Sequence, residues 1–87
     1  MTYTQFQSVR NVLRWAGIGA MVSAQRVDEA LKAVEGLPRA DDRSDTLRAA
    51  LMSLRVGAQL SQRDCLQAEH ALAEVFRDDD TESPRHV

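Results

Sequence analysis

Two stretches decide the fold: Ile18-Gly-Ala-Met-Val-Ser23 and, thirty-eight residues further on, Val56-Gly-Ala-Gln-Leu-Ser61. Each sets a glycine, which ends helices readily, four residues before a serine, which begins them. The match runs outward in both directions. Ser8-Val-Arg-Asn-Val-Leu13 aligns with Thr46-Leu-Arg-Ala-Ala-Leu51, and the same offset pairs Ala30 with Ala68 and Ala33 with Ala71. Self-similarity at a fixed period marks a repeated supersecondary unit, so the chain reads as two copies of one helical unit.

Each copy can be read in two ways. In the first, a helix ends near Gly17 or Gly19 (Gly57 in the second copy), and a new one is capped by Ser23 or Ser61, whose hydroxyl accepts from free N–H groups of the first turn. Val22 with Val27, and Leu60 with Cys65, stand at the positions of a hydrophobic staple, and Asp64 at that of a capping-box acid. In the second reading the chain runs straight through as one long helix. Apolar or small residues keep steps of three and four without interruption: Phe6, Val9, Leu13, Ala16, Ala20, Ser23, Val27, Leu31 and Val34, then Leu47, Leu51, Leu54, Ala58, Ser61, Cys65, Ala68, Leu72 and Val75. A glycine inside a helix costs about 1 kcal/mol relative to alanine, and a serine cap contributes about as much, so the broken form is favoured. The expected architecture is an all-α bundle of two repeated helical-hairpin units, four helices in all. The alternative is a long two-helix antiparallel hairpin that dimerises.

The remaining boundaries follow from local chemistry. Thr4 with Gln7 is a plausible start, and Gly36-Leu37-Pro38 a stop, with Gly36 left-handed, Leu37 folded back and Pro38 unable to continue. Ser44, followed by Asp45, is expected to open the second half. These give units over 4–36 and 44–77, a connector over 37–43, and an acidic, disordered tail over 78–87. The whole of 1–77 is one domain, because chains divide only near about 250 residues.

Composition agrees with helices. Twelve of the 87 residues are Ala and only four are aromatic, so the core is built from small side chains. Eight Val, one Ile and four Thr leave little material for a sheet. A net charge of -2 argues against generic adhesion to nucleic acid or anionic membrane. Single Cys65 excludes an internal disulfide framework, which makes a reducing, cytoplasmic setting the default. Ten Arg against one Lys suggest a GC-rich, bacterial or phage source. The uncharged run Trp15–Ala24 after Arg10 and Arg14 has the outline of a signal peptide but contains no Leu, and it falls short of the roughly 20 residues that span a bilayer.

No catalytic constellation stands out, and no cofactor or metal is expected. Gly17-Ile-Gly19 matches the opening of a dinucleotide loop, but Val22 stands where the third glycine belongs. Asp41-Asp-Arg-Ser-Asp45 lacks the glycine and closing glutamate of a calcium loop. His70 and Glu74 make an i,i+4 pair with no third ligand, which reads as a surface pair. Cys65 lies on the seam as a buried small hydrophobe. A helix, a glycine turn and a capped helix is also the outline of a helix-turn-helix, with Gln25, Arg26, Gln62 and Arg63 as base-contacting candidates. Asp28, Glu29, Asp64 and Glu69 would face phosphates with the wrong sign, so nucleic acid is disfavoured.

Val22-Ser-Ala-Gln-Arg-Val-Asp-Glu-Ala-Leu31 resembles a run in the N-terminal helical modules of bacterial type II secretion and type IV pilus ATPases, some of which bind a cyclic dinucleotide. The resemblance covers about a tenth of the chain. The Arg-Leu-Gly signature of the nucleotide-binding versions is absent, since Asn11-Val12 follows Arg10.

Function is sought where the repeat departs from itself. The largest departure is Trp15, opposite Ser53. Heptad lettering sets Val12 and Trp15 beside the seam, which widens the apolar face of the first helix. Val12, Trp15, Ile18 and Met21, rimmed by Arg10 and Arg14 and joined by Tyr3 and Val22, are candidates for a partner interface, with Trp15 as a core cap the competing reading. A homodimer packing first helices together would finish burying the core. The expected function is a non-enzymatic protein–protein interaction module, such as a small chaperone, adaptor or inhibitor-like regulator. The alternative is a helix-turn-helix regulator of DNA.

Overall fold

The computed structural model describes residues 2–37 and 41–82. It is all-helical: α1 Tyr3–Gly17, α2 Ala24–Glu35, α3 Asp42–Arg55 and α4 Gln62–Glu82. The helices form a ring in which α1 and α3 each pack on both α2 and α4, at 44 × 23 × 21 Å overall. The α1–α2 and α3–α4 turns share one end of this bundle, the loop end. The start of α1, the end of α2 and the start of α3 share the other.

Both glycine turns break the helices, and they do so with the same bonds. After α1, Gly19 N–H donates to Ala16 O (3.1 Å) and Ala20 N–H to Trp15 O (2.9 Å); after α3, Gly57 N–H donates to Leu54 O (3.1 Å) and Ala58 N–H to Ser53 O (2.9 Å). This paired pattern is a Schellman motif, which needs a left-handed residue at the first position past the cap. Gly19 (φ 80°) and Gly57 (φ 87°) supply it. Gly17 has the other glycine role: still helical, it packs on Cys65, whose Cβ would lie 3.4 Å from a Cβ added there. Ser23 and Ser61 then cap α2 and α4, accepting from Arg26 N–H (3.3 Å) and Asp64 N–H (3.1 Å).

Four boundaries differ from the sequence reading. The first helix starts two residues earlier, where Thr2 and Gln5 form the reciprocal capping box expected of Thr4 and Gln7. Gly36 stays right-handed (φ -74°), because a short bond from Leu37 N–H to Val34 O closes α2 without a left-handed residue. Leu37 does fold back into the core. Asp41, not Ser44, caps α3: its Oδ1 accepts from Arg43 N–H (2.9 Å) and from Arg43 Nε (3.0 Å), and its Oδ2 from the same guanidinium at 2.8 Å. Ser44 is instead buried three residues into the helix. Finally, α4 runs to Glu82 through the acids expected to be disordered. A surface acid near a helix C-terminus costs only about 0.3–1 kcal/mol, and the first strong breaker is Pro84. The rest of the expected tail, 83–87, lies outside the described residues, as do 38–40 of the connector.

The core holds Val9, Val12, Leu13, Val27, Ala30, Val34, Leu47, Leu51, Ala68, Leu72 and Val75, with small alanines between. Each fully buried Val or Leu contributes about 1.5–3 kcal/mol of transfer free energy. The seam is interrupted at the turns, where Ala20, Ser23, Ala58 and Ser61 are exposed rather than packed. Away from the turns, Phe6 stacks on Phe76 (centroids 4.5 Å), with Tyr3 beside both. No helix is long and apolar enough to cross a membrane, among the described residues.

Candidate interaction site at the loop end

The two glycine turns lie side by side and enclose a groove of about 420 Å³. Its walls are almost wholly repeat-matched: Ala16 and Leu54, Gly19 and Gly57, Ala20 and Ala58, Met21 and Gln59, Val22 and Leu60. The same turns carry the most exposed large apolar side chains among the described residues: Met21 (99% exposed), which lines the groove, and Ile18 (78%) and Val56 (76%), which precede its two turn glycines in the chain. Positive φ at both glycines turns each chain outward after its helix, and the staple residues Val22 and Leu60 then anchor it back on the core. The result is a groove of mixed polar and apolar lining, with exposed apolar side chains in the turns that form it.

The sequence candidates divide among three places. Ile18 and Met21 are exposed at the loop end. Trp15 is half-buried beside them, with the Arg26 guanidinium 5.1 Å from its ring centroid. Val12 is not available to a partner: it is 2% exposed inside the core. Heptad lettering assumes one neighbouring helix, whereas α1 packs on two and buries a wider face. Tyr3 sits at the far end of the bundle, with the phenylalanines. The outward side of α1, including Thr4, Gln5, Asn11 and Arg14, is polar.

Arg10, Arg14 and Arg26 are engaged within the fold. Arg14 Nε bonds Glu69 Oε1 of α4 (2.8 Å), Arg10 lies over the Phe6 ring (5.3 Å), and Arg26 covers Trp15. Three of the cations that a nucleic-acid surface would use are therefore engaged, while Arg63, the other base-contacting candidate among the arginines, is exposed in the first turn of α4. Val56, Leu54 and Leu60 were missed as site residues, because only the folded turns bring the second copy against the first.

The other candidates are placed as follows. Gly17-Ile-Gly19 is a helix end and turn, and Asp41–Asp45 is the cap and first turn of α3. Arg43 holds the Asp41 carboxyl down to about 2. It also reaches toward Glu74 (3.8 Å), whose other oxygen meets His70 Nε2 at 2.7 Å, so the His70–Glu74 pair is tied to the start of α3. Cys65 is buried, and burial pushes its thiol up, with Glu69 and Asp64 adding to the effect. Among the described residues no group of three or more His, Cys, Asp or Glu is placed to hold a metal ion. Comparison with protein-family models, curated proteins and solved structures yields no match.

Proposed function

We propose that the chain is a non-enzymatic protein–protein interaction module, of the size and kind of a small adaptor, chaperone or inhibitor-like regulator, and that it docks its partner at the loop end. One observation carries this reading: Ile18, Met21 and Val56, the most exposed large apolar side chains among the described residues, all lie in the two turns, and those turns line one groove from both repeats. Scattered exposed apolar residues need no explanation, but a cluster around a concavity marks a recognition surface.

The test compares wild type with Met21→Glu/Val56→Glu as bait in native extract. Both positions are exposed, so the double variant should melt as wild type does. A partner held by wild type at high salt and lost from the variant supports the reading. Equal capture by both overturns it, and a salt-sensitive DNA shift abolished by charge removal at Arg10, Arg14 and Arg26 would replace it with the nucleic-acid alternative.

A further inference from the structure

The contacts between the two repeats follow a single register. Phe6 stacks on Phe76, Arg14 pairs with Glu69, Gly17 packs on Cys65, Asp28 pairs with Arg55 (2.6 Å), and Arg48 donates to the carbonyls of Val34 and Leu37. In every pair the two residue numbers add to nearly the same total. As one partner advances along the first repeat, the other retreats by the same step through the second. This is the register of one antiparallel hairpin, 3–35 against 42–82, and it is kept across both helix breaks. The three-and-four spacing of seam residues is likewise unbroken through Ala16, Ala20, Ser23 and Val27, and through Leu54, Ala58, Ser61 and Cys65.

The bundle is therefore a long hairpin folded in two, hinged at Ile18–Ser23 and Val56–Ser61. Folding adds the packing of α1 on α2 and of α3 on α4, such as Arg26 over Trp15 and Arg43 toward Glu74. Packing of α1 on α4 and of α2 on α3 belongs to the hairpin itself. A second copy in the straightened form offers the same surfaces that folding back uses, and neither hinge contains a proline to prevent helix.

We propose that the chain exchanges halves with a second copy of itself. Both turns straighten into helix, two hairpins lie together, and each α1 packs on the α2 of the other copy, each α3 on its α4. All four kinds of helix contact in the closed bundle are restored. The two glycines hold the closed form, because φ 80° and 87° are open to them and strained for alanine, while alanine is the better residue in a continuous helix. This inference shares the two turns with the loop-end docking reading: the groove exists only in the closed form, and straightening the turns removes it.

The experiment measures mass and shape in solution for wild type and Gly19→Ala/Gly57→Ala by light scattering and small-angle X-ray scattering. No neighbour lies within 4 Å of either added Cβ, so crowding does not confuse the result. The variant is expected to dimerise at least tenfold more tightly, with higher helical content. Its longest dimension should grow beyond the 44 Å of the closed bundle, toward the roughly 60 Å that residues 42–82 span as one helix. A variant that stays monomeric with unchanged helicity overturns the proposal, as does a dimer of two compact bundles side by side. Should the variant fail to fold, wild type refolded at high concentration serves instead: a slowly dissociating, elongated dimer supports the exchange, and monomer alone overturns it. Met21 and Val56 lie in the same hinges, so loss of partner capture in that variant is read as a failure of docking only where its mass and longest dimension match those of wild type.

Discussion

Gly19 and Gly57, thirty-eight residues apart in the chain, hold the same left-handed backbone, with φ 80° and 87°, and close the same pair of hydrogen bonds. Each turn depends on one residue whose side chain must be absent for backbone reasons alone. Gly19→Ala and Gly57→Ala are each expected to destabilise the closed monomer by about 1–2 kcal/mol, read from urea unfolding at low concentration. Asparagine at either site should cost less, because it tolerates this conformation better than alanine. Equal stability of the alanine variant and wild type would show that the turn is not left-handed.

Ser44 Oγ is fully buried and has no hydrogen-bond partner among the described residues. A hydroxyl removed from water without compensation costs about 1–3 kcal/mol, and alanine is the better helix former. Ser44→Ala should therefore raise stability by about 1 kcal/mol in the same assay. A loss of stability would mean that the hydroxyl has a partner after all.

Asp41 carries a pH dependence of definite sign. Its pKa falls from an ordinary 3.8 to about 2 because the Arg43 side chain and backbone N–H stabilise the carboxylate. A lowered native pKa stabilises the fold above the unfolded value, and that stabilisation is lost as pH falls from 3.8 through 2. Asn also caps helices well, so Asp41→Asn isolates the charge. Its urea midpoint should lie below wild type at neutral pH, with the gap closing across this acid window. A gap that persists below pH 2 would assign the effect to lost packing instead.

How much was legible depended on how local the deciding chemistry was. Ser23, Ser61, Gly19 and Gly57 act within one turn of chain, and the repeat stated them twice, so the breaks and the four helices could be read directly. Asp41 against Ser44 could not, because both are good caps and the choice rests on where the Arg43 side chain folds. Val12 was misplaced for a different reason. Its burial depends on α1 having two neighbours, a property of the ring and not of the helix. The groove was invisible for the same cause: Met21 and Leu60 line one site only when two turns remote in sequence fold side by side.

Cys65 should be silent as a nucleophile. It is buried, its thiol is pushed up, and thiolate is the reactive form. Labelling by a thiol reagent is expected to follow opening of the bundle, accelerating with denaturant in step with unfolding and not with pH alone. Fast labelling in native buffer would place α4 away from the end of α1.

The central claim is that the repeats meet in one antiparallel register, with the end of α1 seated on the start of α4 beside the loop-end groove. Gly17→Cys tests it most directly. The Cβ built at Gly17 lies 3.4 Å from that of Cys65, close to the roughly 3.5–4.5 Å across a disulfide. Mild oxidation should convert the variant to an internal disulfide, seen as loss of both free thiols at unchanged chain number in intact-mass measurement. Two thiols that stay free, or that join only between chains, would contradict the register and the site built upon it.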